Sequence, residues 1–347
     1  MSGAILAIRL RALGDVVLTT PALRALHRGH PDAAIDVVTD ARYAGLLGGL
    51  PGVDRVLGLE RGALGMRQLI ARIRERPYAK AVDFFGNPRS ALITMASRAA
   101  DTFGYDLRGR RRAYRHRIAR EAPAAAGGAE YTAAAHVRLA LACGGVDDGL
   151  RANVSVADDA RERAAALLAQ AGLRRPEAAL GLVAAGTWAT KTWPASHAAW
   201  LVRRLLHADR EVLLLAGPGE ESVTRTLVTL APGLAVLPPC DVPAMAAGIE
   251  RLAGVFGTDS GPRHVAAALG RPTFAWFGPT NPDNWTAPSP EQGVWWTEAP
   301  CRGCNRTACP HWICLPEFHP DRAFALVQEH FERHGAAPAR LGPTAGA

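Results

Sequence analysis

Short apolar runs alternate with helix-spaced stretches from the first residues onward. Ala4–Leu10 is a strand-length apolar run, Arg11–Asp15 a loop, and a helix begun near Val16 continues through Pro21–Arg28. Ala34–Val38 reads as the next strand, with another at Val53–Leu57. Gly65–Arg74 is helical and ends before Pro77, and Ala79–Phe84 is a strand stopped by Gly86-Asn87-Pro88. Glu130–Cys143 is a helix ended by Gly144-Gly145. Strands alternating with helices predict a parallel sheet covered on both faces.

The pattern restarts after an Ala/Arg/Leu helix at Asp158–Gln170 and a linker at Leu173–Glu177. Ala179–Ala184, Glu211–Ala216, Leu234–Leu237, Gly254–Gly257 and Thr273–Phe277 read as strands, and Ala195–His207 and Pro262–Leu269 as helices. Two α/β domains are therefore expected, residues 1–155 and 178–335. Beyond about residue 280 Pro, Trp and Cys cluster through Cys314; the helix Arg322–Arg333 and an Ala/Pro/Gly-rich tail follow.

Composition narrows this only modestly. Of 347 residues, 48% are hydrophobic and 21% charged, which excludes a disordered, collagenous or coiled-coil chain. Gly 35 and Pro 25 predict many tight loops. A formal net charge of +8 favours an anionic partner without naming it. Six cysteines do not make a disulfide scaffold. The first residues lack the charged start, apolar run and cleavage site of a signal peptide, and no stretch approaches the ~18–20 apolar residues of a membrane span. A soluble cytoplasmic protein is expected.

Chemistry concentrates where strands run into loops, the edge at which open α/β sheets place ligands. The first strand lacks the glycine fingerprint of dinucleotide binding. Instead Gly14 permits a turn and Asp15 opens the helix, as a cap or as a base facing the cleft. Gly186-Thr187-Trp-Ala-Thr-Lys191 brings hydroxyls, backbone donors and one of only two lysines to the end of another strand, suited to a diphosphate. Gly257-Thr-Asp259-Ser260-Gly261-Pro-Arg263-His264 opens a helix whose amides would face phosphate, with Asp259 able to accept from sugar hydroxyls. Gly217-Pro-Gly-Glu220 follows a strand and could hold a ribose hydroxyl through Glu220. Cys301, Cys304, Cys309 and Cys314 could hold zinc or an iron–sulfur cluster, but their spacing matches no standard set, and a reduced, tightly turned loop is the simpler reading. Arg108–Arg120 carries seven arginines and no acid: a solvated segment, or an anchor for an anionic acceptor or membrane, with Arg110, Arg111 and Arg112 at its centre.

In order and spacing these motifs resemble family 9 glycosyltransferases, the ADP-heptose:lipopolysaccharide heptosyltransferases. The likeness rests on Arg9-Leu-Arg-Ala-Leu-Gly-Asp-Val-Val-Leu-Thr-Thr-Pro-Ala-Leu23, Lys191-Thr-Trp-Pro194, Leu214-Leu-Ala-Gly-Pro-Gly-Glu220, the Gly257–His264 segment, Phe277-Gly-Pro-Thr-Asn-Pro282 and the Cys/Pro block at 301–316. It spans about residues 3–330.

The resemblance implies a GT-B fold: two Rossmann-like parallel-sheet domains facing a cleft, acceptor on the N-terminal side and nucleotide sugar on the C-terminal side. It implies an inverting transfer with no cofactor and no metal, ADP-heptose as co-substrate, and an anionic glycolipid or glycan acceptor met in the cytoplasm with peripheral inner-membrane contact and no nucleic acid. By analogy Asp15 is the base. Thr187, Lys191 and Asp259 match positions that contact donor phosphate or sugar; Glu220, Ser260, Gly261 and His264 complete the donor set. Arg263 departs from the small or apolar residue usual at its position, and the loop before Lys191 is less polar than usual. A nucleotide-sugar epimerase of the same architecture and a metal-bearing nucleic-acid binder are the alternatives.

Overall fold

The computed structural model describes residues 3–120 and 129–335. The first compact unit runs through Ala157 and takes in Asp241–Pro243 and Asp283–Ala287; the second begins at Asp158 and holds the remainder.

The first unit is built on β1 (Ala4–Ile8), β2 (Ile35–Asp40), β3 (Val53–Leu59), β4 (Tyr78–Asp83), β5 (Asp101–Tyr105) and β6 (His116–Ile118), all parallel, in the order β3-β2-β1-β4-β5-β6. β1 carries no exposed side chain and is paired on both edges, so its apolar residues fill the cores on either face of the sheet. Its helices are α1 (Leu13–Val17), α2 (Thr20–Gly29), α3 (Gly62–Arg74), α4 (Pro88–Ala96) and α5 (Thr132–Ala142).

Three expectations are corrected here. The helix after β1 is two helices, not one. The Thr19 hydroxyl donates to the Asp15 carbonyl (2.8 Å) and the Thr20 hydroxyl to the Val17 carbonyl (2.8 Å), and Pro21 then starts α2 afresh. Gly14 makes no turn: it is buried within α1, whose N-cap is Ala12. The arginine segment is largely folded. Arg111–Ala113 forms a 3-10 turn with Ala113 and Tyr114 buried, His116–Ile118 adds the edge strand, and Arg111 pairs with Asp106 at 2.8 Å.

The second unit opens with α6 (Asp158–Gln170) and repeats the topology. Its strands are β7 (Leu180–Val183), β8 (Val212–Leu214), β9 (Ala235–Val236), β10 (Gly254–Thr258), β11 (Thr273–Phe277) and β12 (Gln292–Trp296), parallel, in the order β12-β11-β10-β7-β8-β9. The remaining helices are α7 (Ala195–His207), α8 (Glu221–Leu230), α9 (Val242–Glu250), α10 (Gly261–Ala268), α11 (Pro282–Trp285) and α12 (Pro320–His334). Trp193, Trp276, Phe256 and Phe318 fill its core, with Trp193 and Trp276 ring centroids 4.7 Å apart.

Both sheets therefore share one strand order, and each reverses direction at one place: between β1 and β4, and between β7 and β10. At such a switch point the flanking loops part and leave a crevice at the carboxyl edge.

Candidate active site

The switch point of the first unit is occupied by a carboxylate on a guanidinium. Arg9, buried at the end of β1, donates through Nη1 to the Phe84 carbonyl beyond β4 (2.7 Å), stacks over the Phe85 ring (4.8 Å) and pairs through Nη2 with Asp15 Oδ1. Burial works against the Arg9 charge and lowers its pKa; Asp15 is the foremost group supporting it. The Ala12 amide donates to Asp15 Oδ2 (3.1 Å), so Asp15, the third residue of α1, braces the helix start from inside rather than opening it. Its side chain remains 22% exposed, enough for a proton donor to reach it.

Arg9 depends in turn on the loop after β4. Asp83 accepts from the Phe85 amide (2.9 Å), the Gly86 amide (3.0 Å) and the Tyr114 hydroxyl (2.6 Å). Burial pushes the Asp83 carboxyl above the ordinary carboxylate range, with those donors opposing it. The loop that presents the Phe84 carbonyl is thus pinned by a buried acid.

The switch point of the second unit gathers most of the predicted donor residues. β7 leads into the loop of Thr187 and a 3-10 turn ending at Lys191; β10 leads into Asp259 and then α10. Gly257 makes this possible. Its φ is +137°, and a Cβ there would lie 2.1 Å from the Val183 carbonyl oxygen, so only glycine lets the strand ends approach. Lys191 Nζ donates to Asp259 Oδ2 (2.7 Å) and to the Asp259 carbonyl (3.3 Å). Arg263 Nη2 donates to Asp259 Oδ1 (3.0 Å), with His264 Nε2 3.5 Å from the same oxygen, and the Thr280 hydroxyl donates to Oδ2 (3.4 Å). The Thr258 hydroxyl bonds the Lys191 carbonyl, and Lys191 Nζ lies 5.0 Å from the Trp188 ring centroid. Burial alone would raise the Asp259 pKa; the His264 hydrogen bond and the charges of Lys191, Arg263 and His264 outweigh it and hold the carboxyl far below the usual range.

Asp259 is held from within the chain. Both of its carboxylate oxygens already serve cationic donors of its own chain, because a buried carboxylate is tolerated only when so paired. Ser260 is the N-cap of α10 by backbone, but its side chain makes no capping bond; the helix starts at Gly261 and carries Arg263 and His264 of the cationic cluster in its first turn. Thr187 is exposed in the loop. Glu220, the N-cap of α8 at the close of the loop after β8, accepts from the Gly217 amide of that loop (3.0 Å), and burial raises its pKa. Cys301 and Cys304 are exposed, Cys309 is half-buried, and the buried Cys314 thiol is pushed up by that burial. Among the described residues, no three His, Cys, Asp or Glu side chains are gathered to hold a metal ion.

Sequence reasoning passed over Arg9 and took Arg263 only as a departure. The signal for both was a guanidinium in an apolar setting, which demands a carboxylate partner.

The sequence profile of glycosyltransferase family 9 (heptosyltransferase) matches residues 66–312. The chain belongs to that family. It is a glycosyltransferase; the matched span contains Lys191, Asp259 and Arg263, while the Asp15 segment lies outside it. The family 9 chain is 28% identical over 321 residues to lipopolysaccharide heptosyltransferase 1 of Pseudomonas aeruginosa, covering 88% of this chain and 87% of that one. The family 9 glycosyltransferase structure from Veillonella parvula superposes with a TM-score of 0.82 at 19% identity, over 96% of this chain and 99% of that one. The Escherichia coli ADP-heptose lipopolysaccharide heptosyltransferase II structure gives 0.76 at 20% identity, over 96% and 100%. These likenesses show the fold: GT-B, built of two Rossmann-like domains.

Proposed function

We propose that this family 9 enzyme transfers a heptose from ADP-heptose to an anionic glycan of the lipopolysaccharide-core type. Family membership carries the reading, and the names of the Pseudomonas and E. coli relatives support its donor and acceptor. Asp15 takes the proton of the acceptor hydroxyl. The hydroxyl oxygen then bonds to the anomeric carbon as the bond from that carbon to the diphosphate oxygen breaks, with inversion, and ADP departs. Lys191 and the opening amides of α10 meet the charge that grows on the diphosphate. Asp259 and Arg263 act as positioning residues: the carboxylate fixes the ammonium, and the guanidinium fixes the carboxylate. Thr187 lies at the mouth of this loop and Glu220 shapes the neighbouring one. The reaction needs no resident metal or cofactor, and the enzyme works on the cytoplasmic face of the inner membrane, where its acceptor lies.

A thermal-shift comparison of ADP, UDP, GDP and NAD, coupled to a transfer assay with ADP-heptose with and without EDTA, tests this. Stabilisation by ADP above the others and turnover that survives EDTA are expected. Preference for UDP would overturn the donor assignment. Loss of turnover restored by Mg²⁺ would overturn the metal-free mechanism.

A further inference from the structure

The outer faces of α3 and α4 combine exposed apolar side chains with a concentration of positive charge. Leu64 on the first turn of α3 is 68% exposed, the highest value among the exposed large apolar side chains of the described residues, and Leu92 and Met95 on α4 are 47% and 52% exposed. Leu92 and Met95 are one helical turn apart and share a face.

The two helices lie on the same side of the first sheet. Leu69 and Ile73 of α3 and Ile93 of α4 enter one apolar cluster with Leu57 and Tyr78, and Arg74 Nε donates to the Ala96 carbonyl (3.4 Å). With their inner faces bound to a common core, their outer faces form one continuous surface.

That surface is strongly basic. Arg61, Arg67, Arg72, Arg89 and Arg98 are exposed, and among the described residues their guanidinium groups have no ion pair or hydrogen bond. Other arginines of this unit behave differently: Arg24, Arg42, Arg55 and Arg76 each hold a carboxylate. No acid occurs between Arg61 and Arg74 or between Pro88 and Arg98. The Arg111–Ala113 turn packs on α4 through Ala91, Ala113 and Tyr114 and adds the exposed Arg112 to the same side.

We propose that the α3–α4 face is a docking surface for an anionic lipid bilayer. Leu64, Leu92 and Met95 enter the boundary of the acyl region, and the unpaired arginines meet lipid phosphates around them. A polyanion in water would satisfy the arginines and leave the three apolar side chains unexplained; a bilayer surface satisfies both. The helices lie on the membrane and do not cross it, as no helix among the described residues is long and apolar enough to do so. The proposal deepens the functional reading, since a lipid-borne acceptor gives the enzyme a reason to reside there, but its structural argument stands apart from catalysis.

The test uses the full chain and vesicles of phosphatidylcholine alone or with phosphatidylglycerol. Two variants are compared: Leu64→Gln/Leu92→Gln/Met95→Gln and Arg67→Gln/Arg89→Gln/Arg98→Gln, each checked for native circular dichroism. The parent should sediment with the phosphatidylglycerol vesicles only, and each variant should bind about tenfold more weakly. Transfer to a delipidated, water-soluble acceptor should be the same in all three proteins. A parent that ignores anionic vesicles, or an apolar variant that binds them as the parent does, overturns the proposal; in the latter case, parental binding of both proteins to a nucleic acid would mark the face as a polyanion site. A parent that binds vesicles but transfers no heptose defeats the functional reading and leaves the surface standing.

Discussion

A carboxylate held by a buried guanidinium keeps one orientation, and Arg9 imposes that on Asp15. Asp15→Asn keeps the shape and removes the basic oxygen. Its turnover should fall roughly 10²–10⁴-fold with ADP affinity unchanged in calorimetry; parental turnover would reduce Asp15 to a brace for α1. Lys191 carries a different load, since in the proposed reaction its ammonium faces the diphosphate in both ground and transition states. Lys191→Ala should weaken ADP binding and slow transfer together, and unchanged values of both would remove it from the site. Asp259 is the residue on which stability turns. Asp259→Asn leaves Lys191 and Arg263 buried without their counter-charge, a loss of about 3–5 kcal/mol in urea unfolding. Because the folded pKa of Asp259 is depressed, its contribution is whole above the ordinary aspartate value, about 3.9, and is lost as the pH falls through the lower folded value. The gap between parent and variant should therefore be flat near neutrality and close in acid. A gap that stays constant into strong acid would show that the carboxylate charge is not its source.

Elements answer to different constraints. Gly257 joins β10 to the Asp259 loop at a φ of +137°, with the Val183 carbonyl where a side chain would begin. Gly257→Ala should cost on the order of 2–4 kcal/mol, whereas Gly48→Ala, with nothing within 4 Å of the added carbon, should stay within about 0.5 kcal/mol. Equal denaturation midpoints for the two variants would refute the close approach of β7 and β10. Helix α7 and strand β11 sit where apolar spacing put them, because each presents a clear face to one core. The edge strand β6 did not show in the sequence, since His116–Ile118 borrows its order from β5 rather than from its own apolar content. The break between α1 and α2 was also hidden: helical spacing runs on through Thr19 and Thr20, and it is divided where their hydroxyls bond back to the preceding turn and Pro21 offers no amide hydrogen to continue the ladder.

Across the whole chain the same six-stranded order appears twice with different chemistry at each switch point: an acid on one guanidinium in the first unit, and an acid, Asp259, ringed by Lys191, Arg263 and His264 in the second. The proposed division of labour is therefore readable by region. ADP at about a hundred times its Kd should stabilise the chain by roughly 2.7 kcal/mol. Hydrogen exchange should slow in the loops after β7 and β10 and remain unchanged in those after β1 and β4. Protection appearing at the Asp15 loop instead would exchange the donor and acceptor roles of the units.

Periodicity and loop residues are local properties, so the α/β class, the two domains, and the placing of Asp15, Lys191 and Asp259 at strand ends were already legible in the chain. So was the family likeness, which rests on short motifs in a fixed order. Partnership was not legible. Lys191 and Asp259 are 68 residues apart, and Arg9 and Phe84 are 75 apart; they meet only because crossover connections set β7 beside β10 and β1 beside β4. The same holds for Asp241–Pro243 and Asp283–Ala287, which lie late in the chain and belong to the first unit. A residue's type states which charge or hydrogen bond it must satisfy. Which neighbour satisfies it depends on strand order, and strand order belongs to the folded sheet.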